Sequence, residues 1–206
     1  IDEYDEDGYQ IVKDYIDLLD EKYRNYLFNE LNRNRGNAYC GDMIEKYDGN
    51  YPVWVFLEII PFGRMVAFYF CANRFSDKEM KNNYYGLLTC KRIRNVAAHS
   101  NCILNDLRPH TAEHLTNKDI IKELIRIPYM NSNFRKNRMS NVRIQQIITL
   151  FYMHKKMARS EGVALYESRE LKKLMRRIDK NCSYYKTNTL IHGTFKFLGL
   201  VVDNWF

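Results

Sequence analysis

The sequence predicts an all-α protein, on two observations: apolar residues recur at spacings of three and four along most of the chain, and no alternating run of strand length interrupts them. Proline and glycine punctuate those stripes, and no segment repeats at a fixed period. The architecture expected is a helical bundle with additional helices towards the C-terminus.

The elements follow in order. Ile11, Tyr15, Leu18, Leu19, Tyr23, Tyr26, Leu27 and Leu31 make one stripe, which predicts a single helix over 9–31 and a break at 32–36. A short helix is expected over 41–47, ahead of the turn Asp48-Gly49-Asn50. Pro52 suits a first helical turn, and the run 53–60 is apolar on all sides, the mark of a central helix. Pro61-Phe62-Gly63 should kink or interrupt it, with 64–70 continuing in phase. Ser76 and Glu79 spell a capping box, opening a helix or helix pair that runs to about Leu107 and stops at Arg108-Pro109. Residues 109–140 read as a polar connector around one helix, 117–127, with 131–141 as an exposed loop or helix lead-in. Amphipathic helices are expected over 142–158 and 167–178, and a last one over 187–200. We place a core at 1–108 and a basic helical part of the same domain at 109–206.

Charge narrows the partners. Residues 1–30 hold ten acids and three bases, so the other 176 residues carry a net +14 within a total of +7. A basic body of that size favours polyanions, whose condensed counterions are released on binding. The 14% of aromatic residues argues for a compact core. The five cysteines are odd in number and lack CxxC spacing, which fits reduced, mostly buried thiols of a cytoplasmic protein. No secretory signal is read at the start, no run is long enough to span a bilayer, and the lack of an initiator Met suggests processing or a longer chain.

The stretch with chemistry in it is Arg94-Asn95-Val96-Ala97-Ala98-His99. An Arg-x4-His pair alone should arise by chance in about one such chain in three, and a following Asn reduces that to roughly one in thirty. On a helix Arg94 and His99 stand about 140° apart, whereas Asn95 and His99 share a face at i, i+4. A long arginine can curl round to that face, and Ala97 and Ala98 let a second helix come close. Two copies meeting about a twofold axis would pool two of each group. The fitting reaction is attack of an RNA 2′-hydroxyl on its own phosphorus, with His99, of ordinary pKa about 6.5, moving protons and Arg94 holding phosphate oxygens. Such a reaction requires neither metal nor cofactor.

Other patterns are weaker. His110-Thr111-Ala112-Glu113-His114 has an inverted zinc-protease spelling but no downstream third ligand, and a solvated loop is the better reading. Lys91, Arg92, Arg135, Lys136, Arg138, Arg143, Lys155 and Lys156 are candidate RNA-binding cations, with Phe134 and Tyr152 available for stacking; Arg159, Lys172, Lys173, Arg176 and Arg177 extend the basic runs. Walker, GxGxxG and GxSxG motifs are missing.

Two motifs together resemble a known family. Arg94-Asn95-Val96-Ala97-Ala98-His99-Ser100-Asn101 with Leu104-Asn105 is similar to the RN-x-x-AH signature of the Abi-like (AbiD/AbiF type) abortive-infection proteins of the HEPN superfamily. Pro52-Val53-Trp54, then Glu58, then Phe62-Gly63 resembles the second hallmark of that family. The resemblance is strongest over 9–108, and 198–205 has the family's closing pattern. It implies a HEPN-type helical bundle, often a homodimer, and metal-independent RNA cleavage in bacterial phage defence. In some members it implies the toxic half of a toxin–antitoxin pair held in check by a small RNA. Arg94 and His99 match the catalytic pair, Asn95 the supporting polar position and Glu58 the acidic one, which we expect to be a buried partner for a cation. Asn105 is a further supporting position. Family members carry further helices ahead of the first one here, which this chain is expected to lack. The rival expectations are a non-catalytic RNA-binding protein and a dimeric protein-interaction subunit.

Overall fold

The computed structural model describes residues 7–72 and 78–206. Among these the chain is helical and strand-free, with helices α1 (Tyr9–Leu18), α2 (Glu21–Asn34), α3 (Gly41–Tyr47), α4 (Val53–Ile59), α5 (Phe62–Ala72), α6 (Lys78–Ala98), α7 (Lys118–Ile125), α8 (Ser132–Met139), α9 (Val142–Met157), α10 (Glu161–Lys180) and α11 (Thr189–Trp205). The all-α expectation holds. The chain forms two compact units that divide inside α6, between Tyr84 and Tyr85. The expected capping box at Ser76 lies outside the described residues.

In the first unit the stripe over 9–31 is two helices, not one. Leu19 and Asp20 are extended, and the guanidinium of Arg24, in the first turns of α2, folds back to donate to the carbonyls of Ile16 (3.2 Å), Asp17 (2.9 Å) and Leu19 (3.2 Å). A cation capping the carbonyls at the end of α1 makes the break stable, and of the expected stripe Tyr15, Leu27 and Leu31 are buried while Ile11, Leu18, Tyr23 and Tyr26 are exposed. The core is aromatic at its centre: Tyr15, Phe56 and Phe68 meet edge to face with centroids 5.2 to 5.9 Å apart, ringed by Val12, Leu27, Leu31, Ile44 and Val55. Gly8, at φ +72°, lets α1 start against α4, since a Cβ there would collide with Val53 Cγ2.

Pro52 is the N-cap residue of α4, one position ahead of the expected first turn, and α4 ends at Ile59, ahead of the Pro61-Phe62-Gly63 interruption that the sequence implies. The all-round apolar reading of 53–60 needs correction: Val55, Phe56 and Ile59 are buried, but Trp54, Leu57 and Glu58 share an exposed face at i, i+3, i+4.

The second unit packs α7, α8, α9, α10 and α11 around Ile120, Leu124, Ile144, Ile148, Phe197 and Val201. Gly86 on α6 seats closely on α9, where a Cβ would collide with Met153 Sδ. Residues 131–141, expected as a loop or lead-in, hold α8, because Asn131 caps its first turn by accepting from Phe134 N. No helix among the described residues is long and apolar enough to cross a membrane. Of the cysteines, Cys40, Cys71 and Cys90 are half-buried, while Cys102 and Cys182 are exposed, which corrects the expectation that most would be buried.

Among the described residues the buried Tyr15 hydroxyl has no hydrogen-bond partner, and burial pushes its pKa up. Tyr15→Phe keeps the ring contacts and removes the stranded oxygen, so it should stabilise the chain by about 1 kcal/mol, read as a higher urea midpoint.

Candidate functional site

The segment Arg94 to His99 closes α6, instead of lying well inside a helix that continues to Leu107. His99 N still donates to Asn95 O (3.1 Å), Ser100 N donates to Ala97 O (3.0 Å) and Asn101 N donates to Val96 O (3.0 Å). With Ser100 at φ +54°, these bonds form a Schellman ending in which His99 is the C-cap residue. The sequence shows no glycine there, which is why the stop was not legible: a serine occupies the left-handed position that glycine usually takes.

The ending has a chemical result. Ile93 is buried on the inward face of α6, while Arg94, Asn95, Ala97, Ala98 and His99 are all exposed. Arg92, Asn95 and His99 fall on one face at i, i+3, i+7. Arg94 does turn towards that face, donating from Nη1 to Asn95 Oδ1 at 3.2 Å. Cation, amide and imidazole therefore border the same exposed helix end. Among the described residues no side chain hydrogen-bonds the His99 imidazole. Cys90, two turns back, has its thiol pushed up to about 11 by burial, which keeps it out of nucleophilic chemistry.

Beyond His99 the chain runs non-helically to Asn117, yet it is far from a free loop. Asn141, 2% exposed, accepts from Arg143 N (2.9 Å) and Ile144 N (3.0 Å) through Oδ1, capping α9. Its Nδ2 donates to the carbonyls of Asp106 (3.0 Å) and Arg108 (2.8 Å) and to Thr111 Oγ1 (3.3 Å). Thr111 Oγ1 in turn accepts from Val142 N (3.1 Å), and Gln145 Nε2 donates to His114 O and Thr116 Oγ1, both at 2.8 Å. The connector is thus stitched to the start of α9. Sequence reasoning missed Asn141 and Thr111, although an asparagine directly ahead of the 142–158 stripe is the usual N-cap signal.

The predicted cations separate into groups. Arg143 donates from Nε to Asn105 Oδ1 (3.0 Å) and from Nη1 to Gln146 Oε1 (3.3 Å), so Asn105 and Arg143 come together. Beside them the Asp106 carboxyl is held down at about 2, by hydrogen bonds from Arg108 and the nearby charge of Arg143. Arg138 turns inward instead: it donates to Leu190 O (3.1 Å), Thr194 Oγ1 (3.3 Å) and Thr189 O (3.4 Å), passing over Gly193, where a Cβ would collide with it. Burial lowers its pKa. Lys155 pairs with Glu123 at 3.1 Å and lies over Trp205. Arg92, Lys136 and Lys156 are exposed, with Lys91 and Arg135 half-buried. Glu58 belongs to the first unit and is exposed rather than buried, so its expected role as a buried partner for a cation is corrected.

Residues 110–114 are not helical, and His110 is at φ +61°, so the two histidines lack the i, i+4 helical face that the inverted zinc-protease motif needs. Among the described residues no cluster of three His, Cys, Asp or Glu side chains could hold a metal ion.

The family model described as Abi-like protein matches residues 2–105, from ahead of α1 to just beyond the end of α6. No curated protein and no solved structure matches the chain.

Substitutions at two positions probe this geometry. Asn141→Ala removes a double cap and strands the part-buried carbonyls of Asp106 and Arg108, and should destabilise by about 3 kcal/mol; Asn141→Asp, which keeps the cap but faces two carbonyls with a carboxylate, should also destabilise, in urea titrations of both. Ser100→Gly should stabilise by about 1 kcal/mol, because glycine adopts the left-handed conformation without steric penalty; a lower midpoint would contradict the Schellman ending.

Proposed function

We propose that this chain, which belongs to the Abi-like protein family, is an endoribonuclease that cleaves RNA by 2′-hydroxyl transesterification at the end of α6. Family membership itself suggests a role in abortive infection, that is, in phage defence. The nuclease reading is supported above all by one observation: Arg94, Asn95 and His99 border a single exposed helix end, with Arg94 drawn towards Asn95.

In the reaction the 2′-oxygen attacks the adjacent phosphorus, its proton passes to a neutral imidazole, and the P–O5′ bond breaks. The leaving 5′-oxygen takes a proton from an imidazolium. The products are a 2′,3′-cyclic phosphate and a 5′-hydroxyl. Arg94 supplies a planar donor fork for the non-bridging oxygens, whose charge grows in the transition state. Asn95 fixes Arg94 and offers its remaining amide donors to the substrate. Two proton transfers on opposite sides of phosphorus call for two imidazoles. One chain supplies one His99, and exposed Ala97 and Ala98 leave room for a second copy of the helix end to complete the site. A homodimer is accordingly part of the proposal. The unoriented His99 imidazole favours one rival reading, a non-catalytic RNA-binding end, because a working general base is usually held by a third group.

Labelled RNA incubated with chelator separates the two. Wild type should cut it to cyclic-phosphate ends, and His99→Ala should be slower by at least about 100-fold. Intact RNA with wild type, or equal cutting by His99→Ala, would refute the nuclease. Retained binding without cleavage would favour the rival.

A further inference from the structure

The nuclease reading leaves unused the exposed face of α10. Between Arg169 and Lys180 that helix carries six bases against two acids. Tyr166, Arg169, Lys173, Arg177 and Lys180 follow one another at i, i+3, i+7, i+11 and i+14, a single stripe about 21 Å long at the helical rise. All five are exposed, and the opposite face, through Leu171, Met175 and Ile178, packs into the second unit. Arg176 lies alongside the stripe. Beyond the helix end Tyr184 is 86% exposed, so the cations are flanked by an aromatic ring at each end.

Structure alone does not call for this arrangement. Arg169 with Lys173, Lys172 with Arg176, Lys173 with Arg177 and Arg176 with Lys180 are like-charge pairs at i, i+4, each of which destabilises a helix. The helix dipole rewards cations only in the last turn, which accounts for Arg177 and Lys180 but not for Arg169, Lys172 or Lys173. Among the described residues Arg169, Arg177 and Lys180 make no ion pair, and Lys173 has only the exposed Glu170 at 3.6 Å, a contact easily exchanged. A helix that concentrates like charge against its own stability is arranged for an external polyanion.

We infer that the outer face of α10 is a docking ridge for single-stranded RNA, with Arg169, Lys173, Arg177 and Lys180 on successive phosphates and Tyr166 stacking a base. An exposed ring favours a single strand, because bases within a duplex are already stacked on each other. RNA is chosen over DNA because the chemistry at α6 requires a 2′-hydroxyl; that choice rests on the nuclease reading, whereas the ridge itself does not.

The test uses the full chain carrying His99→Ala, so that a labelled single-stranded RNA of about 20 nucleotides stays intact whether or not wild type cuts it. Anisotropy titrations across a salt series give the slope of log K against log salt. Adding Arg169→Ala, Lys173→Ala and Arg177→Ala together should weaken binding and flatten that slope by about 2, since each phosphate contact on a single strand contributes roughly 0.7. Tyr166→Ala should weaken binding about tenfold, and Tyr166→Phe should not. An unchanged slope and affinity in the triple variant would overturn the ridge. Duplex RNA bound as tightly as the single strand, with Tyr166→Ala silent, would overturn the single-strand assignment. Displacement of the RNA by phosphatidylserine vesicles, with the same loss in the triple variant, would reassign the face to a membrane surface.

Discussion

One buried carboxamide organises the second unit. Asn141 uses both ends of its side chain, the oxygen on two amides that open α9 and the nitrogen on the carbonyls and hydroxyl of the connector. Neither half is dispensable, since a buried amide with either end unpaired would lose more than the bonds it kept. The consequence is that a segment of 19 residues between α6 and α7, too polar to bury itself, is held against the start of α9. The same stitching places Asn105 within reach of Arg143, joining the end of the family-matched region to the basic helices beyond it.

The ends of helices were harder to read in the sequence than their faces. Periodicity located α3, α7 and α9 closely, because an apolar stripe is a property of many residues and survives a few exceptions. A helix end is decided by one or two side chains. Arg24 divides the first stripe by reaching back across the break, an interaction over eight residues that local patterning does not contain. Ser100 closes α6 in a conformation that its residue type does not advertise.

The motif was legible for a different reason: Arg94, Asn95 and His99 are near neighbours in sequence, so their grouping follows from one turn of helix. Glu58 shows the limit of that reasoning. A lone carboxylate among apolar residues looks buried when the whole segment is taken as central, but α4 has an outward face, and the carboxylate lies on it beside Trp54 and Leu57. Arg138 errs in the opposite direction. Within a run of bases it reads as one more surface cation, whereas the absence of a side chain at Gly193, fifty-five positions later, admits it to the carbonyls of α11. Charge runs reveal composition; which member turns inward is settled by the helix that packs against it.

The cysteines sort themselves in a way that is useful at the bench. Cys40, Cys71 and Cys90 are half-buried, while Cys102 stands exposed three residues beyond His99 and Cys182 stands exposed two residues beyond Lys180. Thiol-directed fluorophores or spin labels would therefore report from the helix end and from the basic helix of the unmutated chain, one attachment point beside each surface.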